Sequence, residues 1–421
     1  MIPPPDLTLT KGLGPALALD PTGGAVIGTS LFADDRDFPQ LSLSATALAH
    51  NIAAMAAYAA ARGVRLAPHG KTAMSPELAH AQIDAGAWGI TAATPAQLRV
   101  YRRFGIQRLF LANQLVEPAA IAWLRAELAG DSAFECLVTV DSEAGLRLLA
   151  TSGHDGDASR PIDVMLEFGN AGGRTGVRTP AQLRELARAA ADTPGVRIAG
   201  VTNYEGTLGG ASPAETADRV RGFATELATT IVALETEGLL PAHCPVSIGG
   251  SAYFDEAIAG LRSGGVDAAR IVLRSGAYLT HDDGLYGRVS PSQRGIAETP
   301  VLVPAITVWA PVLSVPEPGL AILLCGRRDV GFDQDLPVVR GARHRDGSRP
   351  RQFAGTLTQL ADQHAFMSFD AEQIGSDNVP AVGDLIELGI SHPCTTLDRW
   401  GLVPIVDDDS RVRELIRMYF S

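Results

Sequence analysis

The chain has 421 residues, 46% of them apolar and 19% charged, and a formal net charge of −12. That length suggests two or three domains with a sizeable core, and the acidity leaves no basic stripe for neutralising phosphates, which argues against a nucleic-acid partner. Four scattered cysteines (Cys136, Cys244, Cys325 and Cys394) with no C-x-x-C argue against a disulfide scaffold and against an all-cysteine zinc module.

The N-terminus, MIPPPDLTLTKG, has no basic stretch followed by an apolar one. No signal peptide is read there, and a cytoplasmic location is expected. Residues 1–40 are rich in Pro and Gly and read as an irregular arm that can join a later domain. From about residue 41 a strand–helix alternation begins. Leu-Ser-Leu-Ser has period two, and Ala45–Arg62 is Ala-rich and helical in character. Eight short apolar runs follow, near Val64–Pro68, Trp88–Ala92, Leu109–Ala112, Cys136–Val140, Val164–Phe168, Ile198–Thr202, Val246–Ile248 and Ile271–Leu273. The helices between them open on Ser75-Pro76, Thr94-Pro95, Glu117-Pro118, Thr179-Pro180 and Ser212-Pro213. Proline in the first turn, after a capping residue, is a helix-start signal. Eight evenly spaced strand–helix units predict an α/β fold, a (β/α)8 TIM barrel over 41–300. A doubly wound sheet is the competing reading, and the count and spacing favour the barrel.

Thr299–Pro316 is the longest uncharged run worth checking as a membrane span, but prolines at 300, 304, 311 and 316 suit short β-strands better than a membrane helix. Beyond it, to 421, Val/Leu/Ile runs alternate with Pro, Gly and Asp turns, with few helical repeats until the last residues. That texture predicts a separate C-terminal β domain over 301–421. No membrane association is expected.

Barrel enzymes carry their chemistry at the C-terminal ends of the strands. After the first run stands Pro68-His69-Gly70-Lys71-Thr72. A lysine at that place points into the barrel mouth, where an amine among apolar walls suits Schiff-base chemistry. A solvated surface head is the commoner fate of a lysine, but Lys11 and Lys71 are the only two in the chain. After the fifth run, the Gly-rich Glu167–Gly176 loop carries Arg174, which can clamp a phenolate or carboxylate or simply lie exposed. The loop is neither G-x-G-x-x-G nor a Walker loop. After the sixth run, Tyr204 can pack on a ring cofactor or serve as an ordinary rim tyrosine. Gly249-Gly250-Ser251 after the seventh run can form an anion nest, at the place where barrels often hold a phosphate, and Arg274-Ser-Gly-Ala-Tyr278 after the eighth can close it. In the last domain, His392 and Cys394 stand two apart in an extended segment and face one side, a half-site for zinc, with His364 a possible neighbour. A chance His beside a buried Cys is the bland alternative. Two protein ligands are too few for a closed structural zinc, so substrate and water would complete an open site.

In combination these pieces resemble a known family. PHGKTAMSPELAHAQIDAGAWGITAAT is similar to the lysine region of the D-serine dehydratase and D-threonine aldolase family, and GRTGV, NYEG, GGS, RSGAY and SHPC follow in that family's order. The resemblance runs from about residue 40 to the C-terminus. It implies fold type III of the pyridoxal-phosphate enzymes: an alanine-racemase-like barrel with a β domain, as a homodimer. It implies Lys71 as the Schiff-base lysine and catalytic base, Arg174 near the cofactor's phenolic oxygen and Tyr204 near its pyridine ring. Gly249, Gly250, Ser251 and Tyr278 would hold the phosphate, and His392 and Cys394 a Zn2+ ion or another divalent cation. The activity so implied is elimination of D-serine to pyruvate and ammonia, with the metal as Lewis acid on the β-hydroxyl. One departure matters: the family's second histidine, after Lys-Thr, is Ala73 here, which weakens an aldolase reading. D-Threonine aldolase and 3-hydroxy-D-aspartate dehydratase remain alternatives in the same class. A non-catalytic pyridoxal-phosphate protein is usually a lone barrel, which the 301–421 domain argues against. A cofactor-free sugar aldolase is a further rival, and a racemase lacks a clear second-base tyrosine motif.

Overall fold

The computed structural model describes residues 11–13, 17, 23–151, 160–344, 348, 353–375 and 378–420. Much of the expected arm (1–10, 14–16 and 18–22) and the chain's last residue lie outside that description. The first strand, β1 (Gln40–Ser44), leads straight into α1 (Ala45–Arg62). Ser44 caps this helix by accepting from the Ala47 amide, and Gly63 ends it in the left-handed conformation at φ 67.

Each of the eight apolar runs is a strand: β2 (Arg65–Leu66), β3 (Ile90–Ala92), β4 (Arg108–Gln114), β5 (Glu135–Val140), β6 (Ile162–Glu167), β7 (Val196–Tyr204), β8 (Val246–Gly249) and β9 (Ile271–Leu273). All the pairings are parallel, in the order β2-β9-β8-β7-β6-β5-β4-β3. The ring closes between β2 and β3 through a His69–Thr91 parallel bridge, with the Trp88 amide on Leu66 O (2.6 Å) and the Thr91 amide on Pro68 O (2.8 Å). Helices α2 (Pro76–Asp84), α3 (Pro95–Arg103), α4 (Pro118–Gly130), α5 (Glu143–Thr151), α6 (Pro180–Ala191), α7 (Pro213–Thr236) and α8 (Phe254–Ser263) alternate with the strands. All five proline-marked starts hold. Thr94, Thr179 and Ser212 also accept from the amide three residues on, a side-chain cap that proline alone does not supply. The fold is therefore a (β/α)8 barrel joined to a β domain, as expected.

After a short α9 (Tyr286–Val289), the second sheet is built from β10 (Ile306–Glu317), β11 (Leu320–Leu323), β12 (Val338–Arg343), β13 (Thr356–Leu360), β14 (Ala365–Ser368), β15 (Leu385–Gly389), β16 (Leu402–Val406) and β17 (Val412–Arg417), with α10 (Ala371–Ile374) and α11 (Cys394–Leu397) as single turns. Three expectations change here. Strand β1 belongs to this sheet, antiparallel to β10 and parallel to β16, so the chain enters the barrel at α1. The proline-rich 299–316 stretch is one long strand from Ile306 on, with Pro311 seated where the β15 pairing ends and a bulge begins. The final helical texture is strand β17, paired with β16, where tertiary pairing overrides the helix-forming residues of VRELIR. Among the described residues no helix is long and apolar enough to cross a membrane.

The barrel and the β domain each have an apolar core. The core of the β domain reaches across to Ala73 and Leu78, just beyond Lys71. Ala73 is thus a buried piece of the seam between the two domains, and a polar imidazole there would have to be desolvated.

Candidate active site

The barrel mouth holds a cavity of about 200 Å³. Lys71, Arg174, Tyr204, Gly249 and Gly250 all line it, on the C-terminal side of four different strands. Lys71 sits in a single 3-10 turn, Gly70–Thr72, that follows β2. Tyr101 from α3 fixes this turn, donating from its hydroxyl to Gly70 O at 2.8 Å. A Cβ at residue 70 would overlap that hydroxyl, so the close approach requires glycine.

Arg174 lays its guanidinium over the Tyr204 ring, 4.2 Å from the centroid. Its loop is laced by Arg178, whose guanidinium donates to the carbonyls of Gly173, Arg174, Thr175 and Gly176 at 2.6–3.3 Å. Beneath it, Glu167 accepts from Gln114 (2.6 Å) and from the Thr175 hydroxyl (3.0 Å). Burial raises the Glu167 carboxyl above its ordinary range, against those two hydrogen bonds.

Arg274, from the end of β9, is the buried cation of the site. It donates to Thr202 Oγ1 (2.7 Å), Ser247 Oγ (2.6 Å) and Asn203 O (2.7 Å), and it stacks on Phe110. Burial brings its guanidinium down to about 10, with Glu167 and Glu205 opposing. His69 also lines the cavity, with a buried Nδ1 that has no partner among the described residues. Burial, then the charges of Lys71 and Arg274, hold this imidazole well below its usual value, so it is neutral at neutral pH. Tyr204 is raised by burial and by Glu205.

The two remaining expectations for the phosphate site come out differently. Ser251 turns its hydroxyl to the amides of Gly276 (3.2 Å) and Ala277 (3.3 Å), linking the two segments of the nest. Tyr278 points its side chain away. Its hydroxyl donates to Gln82 (2.9 Å) in a separate apolar cavity between α1 and α2, because the 3-10 turn at 277–279 rotates it into the barrel wall. Only the backbone of Tyr278 can face the nest.

The His392–Cys394 pair lies beside the lysine turn. Residues 390–391 follow β15 and hydrogen-bond the 283–285 segment, the Asp283 amide to Ile390 O (2.9 Å) and the Leu285 amide to Ser391 O (3.3 Å). That segment is held by Asp282, whose Oδ1 accepts from the amides of Gly284, Tyr286 and Gly287. Cys394 Sγ and Thr72 Oγ1 share a hydrogen bond of 3.2 Å, so the thiol is one residue removed from Lys71. His392 contacts Cys394 and donates from Nδ1 to Asp333 Oδ2 (2.7 Å), and Thr395 holds the other oxygen of Asp333 (2.6 Å). The hydrogen bond to Cys394 raises His392 to about 9. Burial resists ionisation of the thiol, but His392, Thr72 and the Lys71 charge together keep it below its ordinary value. His364 lies in the exposed β13–β14 turn with no recorded bond to the pair. Among the described residues no cluster of three or more His, Cys, Asp or Glu makes a closed metal site.

Asp333, Arg178 and Glu205 are site residues that the sequence reading passed over. Asp333 is 59 positions from His392 in an irregular loop, with no local signal. Glu205 was in view only as part of the NYEG string.

The chain is similar in sequence and fold to known proteins. The family model "Alanine racemase, N-terminal domain" matches residues 43–271, and "Putative serine dehydratase domain" matches 305–406. The chain is 28% identical over 373 residues to a D-threonine aldolase of Arthrobacter sp, covering 88% of this chain and 89% of that protein. It is 28% identical over 307 residues to a 3-hydroxy-D-aspartate aldolase of Paracoccus denitrificans (strain Pd 1222), covering 72% and 75%. The crystal structure of a D-threonine aldolase from Filomicrobium marinum superposes with a TM-score of 0.76 at 28% identity, covering 91% of this chain and 95% of that one.

Proposed function

Because this chain belongs to the alanine racemase N-terminal domain family, among the fold type III pyridoxal-phosphate enzymes, we propose that it is a lyase of β-hydroxy D-amino acids that eliminates D-serine to pyruvate and ammonia. The observation that carries this reading is the 3.2 Å contact between Thr72 and Cys394, which sets a thiol–imidazole pair beside the amine-bearing turn of the barrel mouth.

The residues present fit pyridoxal phosphate. Lys71 offers the amine, the Arg174–Tyr204 stack offers a flat polar wall, and Gly249 and Gly250 line the cavity with backbone at a place where a Cβ would collide with Tyr204 or Glu205. Ser251 and the backbone at Tyr278 would complete the phosphate cradle. When bound, the cofactor supplies an electron sink conjugated to the substrate's Cα. Lys71 Nζ takes the α-proton, and the Tyr101 bond to Gly70 holds its turn for that transfer. His69, kept neutral, places no imidazolium charge beside Lys71 during that transfer.

His392 and Cys394 would hold a divalent cation, with Asp333 orienting the imidazole in the manner of a carboxylate–histidine–metal relay. Thiolate favours zinc, which would act as a Lewis acid on the β-hydroxyl. The same reading includes a homodimer working in the cytoplasm.

D-Threonine aldolase or action on 3-hydroxy-D-aspartate is the second reading, and the names of the relatives favour it. Against it stands Ala73, buried in the domain seam where a base would be wanted. The test is product analysis with pyridoxal phosphate and zinc supplied. Pyruvate from D-serine and none from L-serine is expected. Glycine and acetaldehyde from D-threonine, with no pyruvate, would overturn dehydration in favour of retro-aldol cleavage.

A further inference from the structure

A carboxyl group lies directly under the anion nest. Glu205 follows Tyr204 at the end of β7 and is only 2% exposed. A Cβ built on Gly250 would overlap its carboxyl, with Oε1 the nearest atom, and Gly250 adopts φ +106 to pass over it. The other oxygen, Oε2, is buried and has no hydrogen-bond partner among the described residues. Gly250 is itself a wall of the cavity, and its carbonyl accepts from Ser275 at 2.5 Å. A negative charge at Glu205 and a phosphate on Gly249–Ser251 would therefore be near neighbours in a poorly solvated place.

We propose that Glu205 balances the charge of the nest: it is neutral whenever a phosphate occupies Gly249–Ser251, and in alkaline solution, where the empty site has lost that proton, phosphate binding draws one back from solvent. The inference rests on the phosphate placement proposed above. Burial pushes this carboxyl up to about 8, against its own amide, the Gly206 amide and the Arg274 charge, so the proton is already present at neutral pH. Arg274 is the cation facing Glu205 from the end of β9, and Tyr204 is the phenol beside it. Arg174 faces both of these, and Tyr286 is hydrogen-bonded to Ser251 from the 281–290 segment. Arg274 directs three of its five N–H donors to Thr202, Ser247 and Asn203, and none of its hydrogen bonds among the described residues reaches Oε2. With no cation hydrogen-bonded to Oε2, a proton neutralises the carboxyl in its buried place.

The experiment uses the full chain freed of cofactor and pyridoxine 5′-phosphate, which carries the phosphate but no aldehyde to react with Lys71. Its phosphate is a dianion throughout the range needed, since its second ionisation lies near pH 6. Titration calorimetry at pH 7–9.5, in buffers of different ionisation enthalpy, reads both affinity and proton uptake. Wild type should weaken above pH 8, approaching about tenfold per pH unit, with uptake rising toward one proton. Glu205→Gln should bind with a flatter profile and take up less by most of a proton. Uptake by Lys71 or Tyr204 is common to both proteins and cancels in the difference. Equal uptake and equal pH profiles would overturn the inference and leave the phosphate site standing. No binding at any pH would overturn the site and the inference together. Should Glu205→Gln not fold, wild type alone decides: no proton uptake at pH 9 refutes the proposal.

Discussion

Replacing Arg274 with methionine removes the one buried cation of the barrel mouth while keeping a similar volume. Its three hydrogen bonds are charge-assisted, each contributing about 1.5–3 kcal/mol, or roughly 4.5–9 kcal/mol together. Desolvating the guanidinium costs several kcal/mol, which the substitution recovers. It also takes from the Thr202 hydroxyl its guanidinium donor, whereas Ser247 keeps its bond to Val272 O (3.1 Å). The net loss should be about 3–5 kcal/mol, the usual result of breaking a buried ionic network from one side. Urea denaturation of the cofactor-free protein, followed by far-UV circular dichroism, measures it, and a fall in Tm of roughly 5 °C should accompany it. A loss below about 1 kcal/mol would refute the reasoning, since Arg274 would then be dispensable to the three strand ends it joins. Arg274→Lys should lie between, because an ammonium cannot meet two hydroxyls and a carbonyl in the same fork geometry.

Asp282 is buried, and its carboxyl is raised to about 7 from an ordinary value of 3.8. The folded state therefore binds the proton more tightly, and this group's contribution falls as pH rises from about 4 to about 7, by up to roughly 4 kcal/mol. Asp282→Asn keeps the Oδ1 acceptor and should flatten the stability–pH curve over that interval; parallel curves would contradict the assignment. Cys394→Ala should lose bound zinc, read by atomic absorption, and elimination activity, while keeping the visible absorbance of bound cofactor; full activity would remove the metal from the mechanism. Tyr101→Phe should cost about 0.5–1.5 kcal/mol of stability and lower kcat more than it raises KM, because it frees the Lys71 turn and leaves the substrate walls alone. An unchanged kcat would show that the turn is held by other contacts.

The periodic parts of this protein are legible in its sequence because each rests on a local cause. The eight barrel strands are apolar on both faces, and the five proline starts fix φ before a helix begins. Lys71 stands out because lysine is so scarce here, and the nest glycines because side chains cannot fit. What stayed hidden depends on contacts distant in sequence. Nothing near Asp333 marks it as the partner of His392, and Arg178 becomes a clamp only when the loop folds around it. The RSGAY motif names Tyr278, but only the 3-10 turn decides that its side chain faces Gln82 and its backbone the nest. VRELIR reads as helix until β16 is available to pair with it.

Strand β1 precedes the whole barrel in sequence, yet its neighbours are β10 and β16, more than 250 residues further on. During synthesis at roughly 5–20 residues per second, it waits on the order of tens of seconds before either edge is covered. The barrel can assemble in that interval from sequential neighbours, whereas the β sheet must close a long loop to recruit its central strand. Assembly of this molecule therefore ends at the strand that emerges first, and a break in the distal third of the chain would leave a finished barrel trailing an unpaired hydrophobic strand.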